Sequence, residues 1–368
     1  MDTCLSQVKI MNEFDNHIEK KFTESRQSYM PVFEHFDKNS DGYLNKDEFR
    51  KLLEDLLSNG QMQQSITDED ANSVLSMLDL DNDGRLSLEE FRCAWLYWLK
   101  QVLSPVKALI IVDVQNDFIT GSLALKNCSA GQDGAGVIPV INSLLEQDLF
   151  DLVIYTYDWH PENHISFIET VDSRKIHPTS KVPVLRSAAK VQEKLTFDID
   201  GIPREQILWP KHCVQGSFGA QLADTLKVVP NAFHVYKGAS PDVDSYSAFW
   251  DNSKLSKTNL ASILSEKNVT DVYVCGLAYD VCVGFTAMDS LEHGFRTICI
   301  EDACRGVTLD GISRMRRELQ KKGVYMTMSA EVPNLTRAAL RPLCLAAQAA
   351  VNYDLAWKII KEKSTSSS

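Results

Sequence analysis

Val272-Tyr-Val-Cys275-Gly276-Leu-Ala278-Tyr-Asp280-Val-Cys282-Val283 opens as a short apolar β-rich run, Val272–Cys275. It then passes through a glycine-containing turn and leads into a helical stretch, Val283–His293. The same alternation recurs on both sides of it. Ala108–Val112, Leu152–Tyr157, Phe233–Tyr236, Thr297–Ile300 and Tyr325–Met328 read as strands, with helical stretches such as Val137–Gln147 and Asn259–Lys267 between them. Strand–helix alternation over about 250 residues predicts an α/β fold, a parallel doubly wound sheet with helices on both faces.

Residues 1–100 read differently, as helices interrupted by two acidic, glycine-containing loops. Helical periodicity is clear in 48–57 and again in 88–103, where Phe91, Trp95, Trp98 and Val102 recur at i+3 and i+4 spacing. Ser104-Pro105 breaks that helix. The expected organisation is a small all-α head at 1–103, an α/β domain at 107–357 and a frayed Lys/Ser-rich tail at 358–368. Residues 170–206 read as polar and irregular, with a short helix near Ala188–Leu195. Loops of that length are often functional.

The formal net charge of −12 is unevenly spread. Residues 1–100 carry 20 acidic and 11 basic side chains, the remaining 268 carry 30 and 27. An acidic head on a nearly neutral body argues against nucleic acid as a partner and suits cations. No apolar run approaches the ~18 residues of a membrane span. The first twenty residues hold no apolar core of a secretory signal, so Asn127, Asn268 and Asn334 are expected to stay unglycosylated. Nine cysteines, scattered and never in a CxxC pair, then read as reduced thiols of a cytoplasmic or nuclear protein.

The two acidic loops follow one spacing. Asp37, Asn39 and Asp41, then Asp79, Asp81 and Asp83, place side-chain oxygens at positions 1, 3 and 5. Gly42 and Gly84 at position 6 permit the turn around an ion. Tyr43 and Arg85 at position 7 supply backbone carbonyls, and Glu48 and Glu90 at position 12 close the shell with two oxygens each. Calcium requires six to eight hard oxygens, which this pattern provides. The loops resemble EF-hands over roughly residues 28–100, which implies two Ca2+ ions. The Trp95/Trp98 helix has an apolar face that needs a partner, either the α/β domain, a second copy or another protein.

Four chemistry-bearing positions fall where strands end, at the sheet edge where open α/β folds bind ligands. Asp113 follows Ala108–Val112, Asp158 and His160 follow Leu152–Tyr157, Lys237 follows Phe233–Tyr236, and Cys282 lies beyond Val272–Cys275. A helix start at Cys282 predicts a lowered thiol pKa and backbone N–H groups able to hold an oxyanion. A carboxylate straight after an apolar strand requires a partner, which Lys237 can supply to Asp113. Asp158 and His160 at i and i+2 share a face and can share a metal. His212 is the preferred third ligand and His164 its competitor; three such ligands leave open positions on zinc or a similar divalent ion.

Five segments carry a family resemblance: VDVQNDF (112–118), DWHPENHISF (158–167), WPKHCVQGSFGA (209–220), YKGASPDVDSYSAF (236–249) and GLAYDVCV (276–283). In this order they are similar to the nicotinamidase branch of the isochorismatase-like cysteine hydrolases. The resemblance implies a Rossmann-like sheet and hydrolysis of nicotinamide to nicotinate and ammonia. It implies a triad of Asp113, Lys237 and Cys282, metal ligands Asp158, His160 and His212, and ring contacts from Phe118, Trp209 and Tyr246. It further implies a cis peptide before Ala278, with the N–H groups of Ala278 and Cys282 as oxyanion hole. Two alternatives stand beside it. One is a related cysteine amidase for a carbamoyl or ureido substrate, which the D-x-H…H set argues against. The other is a calcium-responsive interaction protein with an idle hydrolase domain, which the intact triad argues against.

Overall fold

The computed structural model describes residues 29–58, 65–180, 189–337 and 340–366. The chain forms two compact units. One runs to Val106 and also takes in Glu292–Arg296 and the chain from Glu331 onward; the other holds Lys107–Leu291 and Thr297–Ala330. Among the described residues no helix is long and apolar enough to cross a membrane.

In the first unit each acidic loop sits between two helices. A helix at 29–36 precedes the first loop and Lys46–Leu57 follows it; Asp68–Leu78 precedes the second and Leu88–Ala94 follows it. The last continues as a π-helical turn, Trp95–Leu99, and a short helix, Lys100–Leu103. Strands β1 (Tyr43–Leu44) and β2 (Leu86–Ser87) pair antiparallel and join the two loops. Both helices that leave a loop begin on a capping box, Asn45 with Glu48 and Ser87 with Glu90. The glutamate that closes each loop therefore also caps the helix.

The second unit is built on a six-stranded sheet. Its strands are β3 (Lys107–Val112), β4 (Leu152–Asp158), β7 (Phe233–Lys237), β8 (Asp271–Leu277), β9 (Arg296–Arg305) and β10 (Tyr325–Thr327), in the order β10-β9-β8-β3-β4-β7. β3 runs parallel to β8 and β4, β4 to β7, and β10 to β9. Every residue of central β8 is buried, whereas edge β7 alternates, with Tyr236 49% exposed. That contrast is what two covered faces in the centre and a wet edge produce. All six expected strands are present; five are lengthened by up to several residues, and the last ends one residue earlier, at Thr327.

Three expectations change. The region 170–206 is not irregular: β5 (Lys194–Ile199) and β6 (Ile202–Ile207) form an antiparallel hairpin, and Leu195 lies on a strand rather than a helix. Ala188 lies outside the described residues. Asp200 and Gly201 both have positive φ, 52° and 82°, the geometry of a tight two-residue hairpin turn. Leu195 and Phe197 point inward to pack with Ile165, Val171 and Leu208. The boundary expected at 357 also moves, because the chain from Glu331 belongs to the first unit. There a helix runs from Leu343 to Ser366, so most of the expected frayed tail is helical, supported by the Lys358–Asp354 pair four residues apart. Finally, the apolar face around Trp98 is covered by the chain itself. Ala346, Ala349, Ala350 and Tyr353 enter the same core as Phe49, Leu53, Phe91 and Trp98.

Candidate active site

The order β8-β3-β4-β7 brings four strand ends side by side. Asp113 leaves β3 with φ +49°, a backbone state uncommon outside glycine. Asp158 and Lys237 are register partners at the ends of β4 and β7. Cys282 follows β8 on a π-helical turn, Tyr279–Val283, entered through a cis Leu277–Ala278 peptide.

These ends converge on Lys237. Its Nζ lies 2.9 Å from Asp113 Oδ2, donates to Cys282 Sγ at 3.3 Å and to the Ser245 carbonyl at 3.0 Å, and pairs closely with Asp158 Oδ1. Asp113, Asp158 and Cys282 hold ligand atoms within 4.8 Å of one another, all buried. Burial works against charge on Lys237, yet the two carboxylates outweigh it and hold its pKa well above the usual lysine range. Burial raises Asp113 despite Lys237, with Asp158 adding to the rise. Burial alone would raise Asp158 too, but Lys237 and then His160 hold it well below the ordinary carboxylate range.

The thiol departs from expectation. Cys282 is 6% exposed, and burial pushes its pKa well up; Lys237 pulls it down, while Asp113 and Asp158 push it further up. Helix-start logic alone predicts the opposite sign, because it leaves out desolvation and two nearby carboxylates.

Asp158, His160 and His212 form a second cluster, buried, with ligand atoms within 4.8 Å of one another. His160 Nε2 lies 3.7 Å and His212 Nε2 3.8 Å from Asp158 Oδ2. His160 Nδ1 meets the Gly238 carbonyl at 2.9 Å, and His212 Nδ1 meets the Pro210 carbonyl at 2.7 Å. A carbonyl only accepts, so each Nδ1 carries a proton and Nε2 is the ring atom each histidine turns to the cluster. Two imidazoles and one carboxylate, oriented this way, fit a divalent transition metal with open positions. Gly238, at φ +67°, permits the approach: a Cβ there would lie 2.4 Å from His160 Cε1. His164 stacks on His160 with ring centroids 4.0 Å apart, but groups with His160 and Asp244 instead.

Both clusters open on one pocket of about 390 Å³, open solvent at its mouth included, whose lining includes Phe118, Trp209, Tyr246 and Ala278 with Cys282 and the three metal-type ligands. Sequence reading missed the supporting residues. Thr156 Oγ1 donates to Asp113 Oδ1 at 2.5 Å and accepts from its N–H at 3.2 Å. Gln115 clamps the Asp158 backbone, accepting from its N–H and donating to its carbonyl, both at 2.9 Å. Asp117 Oδ2 accepts from Cys213 N–H at 2.7 Å, beside His212. Thr156 had a legible signal, two residues before Asp158 and so on its face of the strand.

Residues 107–331 match the isochorismatase domain, more than half of the chain. The chain belongs to the isochorismatase family. Residues 26–96 match the EF-hand domain pair. The nicotinamidase of Escherichia coli is 39% identical over 209 residues, 56% of this chain and 85% of that protein. The nicotinamidase of Acinetobacter baylyi is 36% identical over 228 residues, 61% and 94%. A solved nicotinamidase and pyrazinamidase of Acinetobacter baumanii is 37% identical, with a TM-score of 0.52 over 62% of this chain and 98% of its own. Isochorismatase-family membership and the resemblance read from the five segments agree.

Proposed function

We propose that this protein hydrolyses nicotinamide to nicotinate and ammonia through a Cys282 thioester, and that its two acidic loops bind calcium. One observation carries the enzymatic reading: the Lys237 ammonium touches both the Asp113 carboxylate and the Cys282 thiol at the mouth of an Asp158/His160/His212 cluster. The similarity to nicotinamidases supports it.

Asp158, His160 and His212 would hold a divalent ion such as Zn2+. That ion supplies a Lewis-acidic anchor for the pyridine nitrogen. Phe118, Trp209 and Tyr246 wall the ring and restrict its orientation. At rest Cys282 is a thiol, and Asp113, ionised beside Lys237, is the base. As sulfur bonds to the amide carbon, Asp113 takes the thiol proton; its raised pKa makes it a better acceptor. Lys237 offsets negative charge as it moves between sulfur and carboxylate. The N–H groups of Ala278 and Cys282 hold the tetrahedral oxyanion, at about 3 kcal/mol per donor. Asp113 returns its proton to the amine nitrogen, and ammonia leaves. Water, deprotonated by Asp113, then attacks the thioester; nicotinate departs, and the proton goes back to sulfur. The test is ammonia release from nicotinamide by the metal-loaded protein, with Cys282→Ala as control. Absence of release from the intact protein would overturn the reading.

A further inference from the structure

In the first unit, the helices leaving the two loops each connect a calcium-type ligand to the C-terminal segment. Glu48 stands at the start of Lys46–Leu57, accepting from Lys38 N–H at 2.9 Å and Asn45 N–H at 3.0 Å. At the other end of that helix, the Leu56 carbonyl accepts from Arg341 Nη1 at 3.0 Å. Glu90 stands at the start of Leu88–Ala94, accepting from Leu80 N–H at 2.7 Å and Ser87 N–H at 2.8 Å. Two turns on, the fully buried Trp98 donates through Nε1 to the Ala346 carbonyl at 2.9 Å. Phe49, next to Glu48, stacks on Trp98 with centroids 6.1 Å apart, so the two levers touch. The seated helix presents Ala346, Ala349, Ala350 and Tyr353, an i, i+3, i+4, i+7 stripe of small residues and one ring. This is the face an amphipathic helix offers to an apolar groove.

We propose that the EF-hand pair is a helix-binding site whose ligand is the chain's own segment 341–353, and that calcium in the loops and seating of this segment are linked. The inference rests on the reading of both loops as calcium sites. Drawing Glu48 and Glu90 onto an ion sets the start of each exit helix, and the far ends carry the Leu56 and Trp98 contacts to the segment. Linkage is reciprocal, so whatever loosens the segment weakens calcium by the same factor.

The test uses the full chain. Calcium titration by calorimetry is compared for the wild type, Arg341→Ala and Trp98→Phe, the first removing the hydrogen bond to the Leu56 carbonyl and the second the one to the Ala346 carbonyl. Hydrogen exchange of 343–353 is followed by mass spectrometry with and without calcium. Both variants are expected to keep two sites with affinity lowered about fivefold, the scale of one hydrogen bond. Exchange in 343–353 is expected to slow at least tenfold with calcium in the wild type. No calcium binding to the wild type would sink the loop reading itself. Two sites with unchanged affinity in both variants, or exchange in 343–353 indifferent to calcium, would leave that reading standing and overturn the linkage.

Discussion

Cys282 stores its proton at rest, because desolvation and the two carboxylates beat the single ammonium beside it. In the proposed mechanism, catalysis then depends on Asp113 being ionised to receive that proton. Since burial raises Asp113, the acid limb of kcat/KM is expected to fall at a pH above the ordinary aspartate value of 3.8, measurable as a pH–rate profile of the metal-loaded enzyme. A limb at or below 3.8 would exclude Asp113 as the base. Cys282→Ala should abolish ammonia release without shifting the melting of the unit that carries it. Cys213→Ser should stay active, because the Cys213 thiol faces the Gly219 carbonyl at 3.8 Å, whereas Lys237 Nζ donates to Cys282 Sγ. Equal loss in both variants would mean the wrong sulfur was chosen. His212→Ala should lower metal content far more than His164→Ala, whose ring makes its Nδ1 contact to Ser166 Oγ at 2.7 Å. Residue types at strand ends made these positions legible in the sequence. The sign of the thiol shift was not, because it depends on how many charges meet in space rather than along the chain.

Strand ends make the site, and the elements behind them decide how firmly it is held. The turn bearing Cys282 is tied down by Asp280, whose carboxylate accepts from Val307 N–H at 2.7 Å and Thr308 N–H at 3.0 Å. Asp280→Ala should lower kcat with little change in metal content, because the metal cluster is carried by the end of β4, the two residues after it and the 209–214 loop; parallel loss of metal would contradict this division. Gly238→Ala should do the reverse and cost metal affinity first, since its Cβ would drive into His160. The six main strands were readable because strands covered on both faces are continuous apolar runs. The hairpin was missed although Leu195 and Phe197 alternate with Thr196 and Asp198 before Asp200-Gly201, a pattern and turn that together signal a hairpin. Its polar outward residues dominated the reading of 170–206. It matters to the site: Gln206 Nε2 donates to Asp244 Oδ2 at 2.8 Å, and Asp244 lines the pocket.

At the scale of the whole molecule, the chain returns to its beginning. Among the described residues, the buried core of the first unit draws on residues from Tyr29 to Val102 and from Ala346 to Tyr353. A pairing of Trp98 with Ala346, 248 residues apart, has no signature in a single sequence, so the sequence alone leaves residues up to 357 with the α/β domain. A unit with its own closed core melts on its own terms. Differential scanning calorimetry of the full chain in chelator should therefore show two transitions. Calcium at a hundred times its Kd should stabilise the first by about 2.7 kcal/mol per occupied loop and leave the second in place. Glu48→Gln with Glu90→Gln should remove that calcium response, because each substitution takes away a closing carboxylate. Nicotinamide turnover measured below the first transition should change little, since Asp113, Lys237, Cys282 and the metal cluster all lie in the second unit. A tenfold change of turnover with free calcium, about 1.4 kcal/mol of barrier, would make the head a regulator instead. So would a single transition that moves as a whole with calcium, because stabilising the first unit would then stabilise the catalytic one.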